Sequence, residues 1–171
     1  MDITETGFNI GDYVIYKNAG VCRIDCIENK TFDDVKYEDY FRLIPVGKDS
    51  ASYYVPLSMA SIRIRKPLTK DEIDSAIKSG CAEEITLTRD SRERKSTIDA
   101  ILKSNDYSKI ISLIKTIYNY TVSCRNNGKK VLVSDENALR NAENLLYPEF
   151  SFVLGIEEEE VKDYIGRLIS A

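Results

Sequence analysis

The sequence predicts an α+β protein in two domains, a small β-barrel over residues 1–67 and an all-α helical domain over residues 68–171. Two observations support this division. From Phe8 to about Lys66, short runs rich in Val, Ile and Tyr alternate with clusters of Gly, Asn and Asp, as in strands and turns. After Pro67 the apolar residues recur at helical spacing to the end of the chain.

The first part of the chain predicts five strands that begin with a hairpin, because Gly11 and Gly20 supply turn chemistry around the first run. Short strands at this spacing favour a bent barrel of the Tudor or SH3-like kind. In the second strand Cys22, Ile24 and Cys26 are two residues apart, so a regular strand would place all three on one face. The predicted strands cover residues 11–16, 21–28, 35–46, 51–57 and 61–65.

The second part predicts a series of helices. Thr69 and Glu72 have the spacing of a capping box, so a helix is expected to begin directly after Thr69. Ser134 is a candidate N-cap of a later helix, which Pro148 is expected to kink or break because proline removes a hydrogen bond. Apolar stripes indicate helices around residues 73–77, 98–102, 110–118, 138–146 and 161–169.

The charge of the helical part is polarised along the chain. Residues 89–130 carry ten Lys or Arg against four acids, whereas residues 131–171 carry three bases against nine acids. A basic segment of this kind is either a solvated helix face or a surface for phosphates. The run Glu157–Glu160 is interpreted as the N-terminus of a helix, where negative charge is favourable.

The opening hairpin also resembles a known family. The order Phe8, Gly11-Asp12, Val14, Tyr16 and Gly20-Val21, with Tyr53-Tyr54-Val55-Pro56 later, resembles the RNA-polymerase-interacting domain of the CarD/CdnL transcription regulators. That module also occurs in bacterial transcription-repair coupling factors. In the second part, Leu102 to Asp106 is similar to the family's L-x-S-G-D element between two helices.

The resemblance implies two binding surfaces. The barrel would dock on the β subunit of RNA polymerase, partly through a strand edge, and the helical domain would touch promoter DNA. Many members place a tryptophan ahead of the L-x-S-G-D element, at the position that corresponds to Ser91, but this chain contains no tryptophan. The expected polymerase-binding residues are Lys30, Tyr40, Phe41, Arg42, Tyr53, Tyr54, Val55 and Pro56. The expected DNA-binding residues are Arg89, Ser91, Arg92, Arg94, Lys95, Lys129 and Lys130.

Catalysis finds little support in the sequence. The chain has no histidine, its four cysteines are scattered, and no glycine-rich phosphate loop is present. We therefore expect no enzyme activity, no cofactor and no metal, although a site built from Asp, Glu and Lys stays open. The chain also lacks a predicted membrane span or signal peptide, so a cytoplasmic protein is expected.

These observations predict a transcription regulator that binds polymerase β through its barrel, contacts promoter DNA through its helices and modulates the stability of the open complex. An alternative is an adaptor that binds polymerase without touching DNA. A third hypothesis is a barrel that binds single-stranded nucleic acid through stacked tyrosines. Its nearly neutral charge, nine bases against ten acids through Lys66, counts against this hypothesis.

Overall fold

A computed structural model describes residues 6–17, 19–32, 37–47 and 51–170 of the protein. The chain divides into two compact units, Met1–Leu68 and Thr69–Ala171, which we call the sheet unit and the helical unit. The predicted start of the third strand at Val35 lies outside the described residues. That the two units are independent domains with a boundary at residue 67 stays a prediction.

The sheet unit contains one antiparallel sheet of five strands. The strands are β1 (Tyr13–Tyr16), β2 (Gly20–Lys30), β3 (Glu38–Pro45), β4 (Tyr53–Pro56) and β5 (Ile64–Arg65), and a short helix, α1, is Ala60–Arg63. The strand order in the sheet is β4-β3-β2-β1-β5. A 3-10 turn and α1 connect β4 to β5, which lies at the opposite edge.

The sheet is not closed into the predicted barrel, because no backbone pairing joins β4 to β5 within the described residues. The predicted strand over residues 61–65 is also wrong in its first three residues, which belong to α1. Ile62 and Ile64 alternate as in a strand, yet Ile62 is 75% exposed and only Ile64 is buried. A helical turn here moves the chain from one edge of the sheet to the other.

A β-bulge in β2 changes which residues face the core. Ile24 pairs with Leu43, but the next pair is Cys26 with Arg42, so Asp25 is an extra residue. Cys22 and Ile24 point into the core, whereas Cys26 shares the opposite face with Arg42. The prediction that both cysteines lie on one face is therefore wrong. The buried core of this unit comprises Phe8, Val14, Tyr16, Cys22, Ile24, Phe41, Leu43, Val55, Leu57, Ala60 and Ile64.

The helical unit begins where the capping box predicts. The Thr69 hydroxyl accepts a hydrogen bond from the Glu72 amide, and the Glu72 carboxylate accepts one from the Thr69 amide, at 3.3 and 2.7 Å. Each predicted stripe lies in a helix. These helices are α2 (Lys70–Ala82), α3 (Ser91–Lys103), α4 (Tyr107–Asn126), α5 (Val133–Leu154) and α6 (Glu158–Ser170).

One expectation for α5 is wrong. The N-cap is Leu132 and not Ser134, and the Leu132 carbonyl accepts from the amides of Asp135 and Glu136. Of the two effects expected from Pro148, a kink or a break, the break does not occur, because the helix continues to Leu154. An interior proline costs about 3 kcal/mol, and burial of the neighbouring side chains on the same helix offsets that cost.

One core cluster of the helical unit lies between α3, α4 and α5, where Ile98, Leu113, Ile117 and Ala138 pack together. α2 approaches α4 closely at Gly80, since a Cβ there would lie 2.4 Å from the Ser108 carbonyl oxygen. In the described part of the chain, no helix combines the length and the apolar character needed to cross a membrane.

Candidate functional sites

The outer face of the sheet carries most of the side chains that the resemblance assigns to polymerase. Lys30, Tyr40, Arg42 and Tyr54 lie on this face, because the register places Arg42 opposite both Cys26 and Tyr54. All four are partly exposed. Pro56, opposite Tyr40, continues the same face to the end of β4.

Three expected polymerase-binding residues point the other way. The side chains of Phe41 and Val55 are fully buried in the core. Tyr53 packs against the same core, with its ring centroid 5.5 Å from that of Tyr16. In an antiparallel strand, alternate residues face opposite sides. The expectation that Phe41 and Val55 contact a partner through their side chains is therefore wrong, although the backbone of β4 lies at a sheet edge.

The charged groups on the outer face are paired with one another. Arg42 donates from Nε to Asp25 at 3.0 Å and from Nη1 to Glu28 at 3.0 Å, and Lys30 lies 2.7 Å from Glu28. Hydrogen bonding from Arg42 lowers the pKa of Asp25, and hydrogen bonding from Lys30 lowers the pKa of Glu28. The face therefore presents balanced charge rather than a basic patch.

An exposed aromatic cluster lies beside these charges. The Phe32 ring is 65% exposed and sits 5.1 Å from the Tyr40 ring and 5.7 Å from the Tyr54 ring. The ammonium group of Lys30 lies 3.8 Å from the centroid of Tyr54. Sequence reasoning missed Phe32, because it follows β2 in a loop and belongs to no alternating pattern. An exposed aromatic residue packed against two others is typical of a protein-binding surface.

In the helical unit, the expected DNA-binding residues fall into three groups. Ser91, Arg92 and Lys95 are exposed on the first turns of α3. Arg89, in the preceding loop, and Lys129 and Lys130, after α4, are exposed as well. Arg94 differs, because it is 9% exposed.

Arg94 forms a buried ion pair. It donates from Nε to Asp135 Oδ1 at 2.9 Å and from Nη2 to Asp135 Oδ2 at 2.7 Å, and Asp135 is fully buried. Its Nη1 group donates to the Thr88 carbonyl at 3.3 Å. This two-point pairing joins α3 to α5 and occupies the guanidinium. Contact of Arg94 with DNA therefore stays a prediction, and within this structure its guanidinium joins two helices.

A cleft of about 570 Å³, lined by polar and apolar side chains in nearly equal parts, lies next to this ion pair. It brings Arg89, Arg94 and Lys129 together with the ring of Tyr120. Sequence reasoning did not select Tyr120, since its position on α4 distinguishes it little from nearby Tyr118. Ser91, Arg92, Lys95 and Lys130 do not line the cleft.

A larger and mostly apolar groove of about 930 Å³ is lined mainly by α4, α5 and α6. Ile111, Ile114 and Ile165 form its apolar wall. Burial raises the pKa of Tyr147, which donates to Glu143 at 3.4 Å. None of the residues expected to bind polymerase or DNA lines this groove.

Burial affects three of the four thiols. Burial raises the pKa of Cys22 to about 11 and also raises the pKa of Cys26 and of Cys81, so these thiols are protonated at neutral pH. Among the described residues, no three Cys, Asp or Glu side chains converge as metal ligands would.

The sheet unit is similar to a known protein family. Residues 8–68 match the family model described as CarD-like/TRCF RID domain, a span that contains all five strands. No curated protein matches the chain. The match therefore covers the outer sheet face with its aromatic cluster, and it ends before the first helix of the helical unit.

Proposed function

We propose that the protein is a transcription regulator, because residues 8–68 match the family model described as CarD-like/TRCF RID domain. It binds the β subunit of RNA polymerase through its sheet unit and contacts promoter DNA through its helical unit. The observation that carries this proposal is the coincidence of the family match with an exposed aromatic cluster beside an edge strand.

The polymerase surface combines two modes of recognition. β4 is an edge strand, and an extended segment of the partner can add to it through main-chain hydrogen bonds. The rings of Phe32, Tyr40 and Tyr54 then supply the buried aromatic centre, where most binding energy of an interface is concentrated. Paired charges around them form the polar rim and limit binding to wrong partners.

Support for DNA contact comes from exposed cations of the helical unit. Arg92 and Lys95 lie one turn apart on α3, and neither forms an ion pair with any described residue. Cations of this kind bind phosphates by releasing counterions. Contact of such a regulator with DNA near the melted region would alter the lifetime of the open complex. The proposal requires no cofactor and no catalytic step, and it places the protein in the cytoplasm with the transcription machinery.

Photo-crosslinking tests the polymerase partner. Benzoylphenylalanine replaces Phe32 in the full-length protein, and the crosslinked subunit of core polymerase is identified by mass spectrometry. A crosslink to β is expected. The same amino acid in place of Ile62, an exposed apolar residue of α1, is the matched control. A crosslink to another subunit, or a yield no higher than that of the control, would contradict the proposal.

The DNA contact is tested by the lifetime of open complexes after a salt challenge. The protein is expected to change this lifetime, and the double variant Arg92→Ala/Lys95→Ala is expected to lose most of the effect. Both side chains are exposed, so the fold should be retained. The variant Lys78→Ala, which removes an exposed cation from α2, is the control.

The adaptor without DNA contact is the second candidate. Two observations favour it: Arg94 is engaged with Asp135, and Ser91 offers no apolar surface to a base step. A mobility shift on a forked promoter fragment separates the candidates. If the affinity of the wild-type protein equals that of Arg92→Ala/Lys95→Ala at every salt concentration, the adaptor is the better description.

A further inference from the structure

The apolar groove of the helical unit has the size and walls of a small-molecule site. Sites of this kind measure roughly 300–1,000 Å³, and the groove has about 930 Å³. Ile111 and Ile165, which belong to its wall, are only 2% and 8% exposed, so packing within the unit fixes them. α5 packs against both α4 and α6. The groove is therefore formed before any ligand binds.

Gly166 keeps part of this groove open. It lies inside α6 and lines the groove, and a Cβ added there would meet no atom of the described chain within 4 Å. Gly80 in α2 differs, because a Cβ there would collide with α4. Close packing of helices therefore accounts for Gly80 but not for Gly166. A helix interior disfavours glycine, so the open space beside Gly166 points to an occupant from outside the chain.

Lys115 supplies a positioned cation at the same groove. Its side chain is half-buried, and its ammonium group donates a hydrogen bond to the Cys81 carbonyl in the last turn of α2. No carboxylate in the described ranges forms an ion pair with Lys115. An ammonium group has three N–H donors. After the bond to Cys81, the remaining donors of Lys115 can hold an acid group of a ligand.

The charges that line the groove leave one cation in excess. The cations are Lys115, Lys162 and Arg167, and the carboxylates are Glu143 and Asp163. A ligand with a single negative charge would balance this sum, whereas a polyphosphate would exceed it. The apolar wall requires that the rest of the ligand be apolar.

We propose that the groove binds a free carboxylate with a long apolar chain. The chain lies against Ile111, Ile114 and Ile165, and the carboxylate accepts hydrogen bonds from Lys115. None of the residues proposed to contact polymerase or DNA lines this groove. The inference therefore goes beyond the proposed function and does not depend on it.

Isothermal titration calorimetry of the full-length protein with dodecanoate, below its micelle concentration, tests the site. Dodecanoate should bind, and dodecanol, which has the same chain without the charge, should bind about 10-fold or more weakly. Lys115→Gln should weaken dodecanoate binding about 10- to 100-fold, the range for one hydrogen bond to a charged group. It should leave dodecanol binding unchanged. Lys109→Gln, on the same helix but outside the groove, is the matched control and should behave as the wild type.

Substitution of Gly166 tests the position of the chain. Gly166→Leu fills the open space and should abolish binding of both dodecanoate and dodecanol, whereas the smaller Gly166→Ala should weaken it less. Leucine favours a helix more than glycine does, so thermal unfolding should show that the Tm of Gly166→Leu is not lowered. Glu159→Leu adds the same side chain to an exposed position of α6 outside the groove and is the control.

Four results would overturn the inference. The first is a wild-type protein that does not bind dodecanoate, and the second is wild-type affinity in a folded Gly166→Leu. The third is binding to phosphatidylglycerol vesicles, but not to free dodecanoate, that Gly166→Leu abolishes, because the groove would then meet a membrane. The fourth is a dimer in sedimentation that Gly166→Leu converts to a monomer, because a second copy would then cover the groove. None of these results bears on polymerase or DNA binding.

Discussion

Arg42 in the sheet unit and Arg94 in the helical unit were both expected to contact a partner, yet the structure uses them differently. Arg42 lies on the outer sheet face, its side chain is 35% exposed, and it pairs with Asp25 and Glu28. Arg94 has a side chain that is only 10% exposed and pairs with an acid that is fully buried. One arginine remains near the surface where a partner can reach it, and the other is part of the interior.

The comparison shows that burial decides what an arginine–carboxylate pair contributes. A pair in water gains little, since solvent already stabilises both charges. In the interior, both charges depend on each other, so removal of one leaves the other without compensation. The sheet unit should therefore lose little stability without its arginine, whereas the helical unit should lose much more.

The largest expected effect is on the stability of the helical unit. Arg94→Ala leaves Asp135 as a buried unpaired charge and should lower the free energy of unfolding by about 3–5 kcal/mol. Arg42→Ala should change it little. Urea unfolding followed by helical circular dichroism measures the effect of Arg94→Ala, and loss of the amide NMR signals of the sheet unit measures that of Arg42→Ala. The double variant Arg94→Met/Asp135→Leu, which removes both charges, should recover most of the lost free energy of unfolding. If Arg94→Ala and Arg42→Ala lowered that free energy equally, burial would not explain the difference between the two ion pairs.

Binding to polymerase is expected to depend on an aromatic residue more than on charge. Phe32→Ala should weaken binding of the full chain to core polymerase by about 2 kcal/mol, or roughly 30-fold, as for an aromatic hot spot. Lys30→Ala should cost less, because Lys30 is already paired with Glu28. Biolayer interferometry measures both, with Ile62→Ala as the control for an exposed apolar side chain. A larger loss in Lys30→Ala would mean that charge governs this face.

A smaller effect concerns the salt dependence of DNA binding. Each exposed cation of the helical unit that meets a phosphate should add about one unit to the slope of log affinity against log salt. Lys129→Ala should reduce the slope by this amount, whereas Arg23→Ala in the sheet unit should not. A titration of affinity over several salt concentrations gives the slopes. An unchanged slope in Lys129→Ala would remove that residue from the interface.

The smallest effect is on the acid stability of the sheet unit. Arg42 holds the pKa of Asp25 below its ordinary value, so this carboxylate stabilises the fold above the unfolded pKa of about 3.9. The contribution is lost as the pH falls through the lowered folded pKa. In Arg42→Gln the pKa of Asp25 should rise toward its ordinary value. A carboxyl NMR titration measures it, and an unchanged pKa would show that Arg42 is not the cause.

Local patterns predicted the elements of the fold well. The strand-like pattern lies in the sheet unit and the helical periodicity lies in the helical unit. The capping box at Thr69 and Glu72 forms as expected. Those signals work because propensity, periodicity and capping act within one or two turns of the chain. The bulge at Asp25 has no such signal, since it depends on the pairing of β2 with β3.

For the candidate sites, the sequence predicted the correct strands but only part of the correct faces. Phe41 and Val55 were selected with Arg42 and Tyr54, although neighbours along a strand cannot share a face. Phe32 was missed, because it follows β2 whereas its ring partners Tyr40 and Tyr54 lie on β3 and β4. A cluster that forms across strands requires the register, which follows from long-range pairing.

The sequence alone predicted the α+β class, a strand-rich part followed by a helical part, and the resemblance that the family match over residues 8–68 confirms. It did not predict the open sheet or α1. The tertiary structure decided which side chains a partner can reach. Arg94 and Asp135 are 41 residues apart and meet only when α3 packs on α5. Local physics specifies where an element begins and ends, but the availability of a charged or aromatic group depends on burial, which is a property of the packed chain.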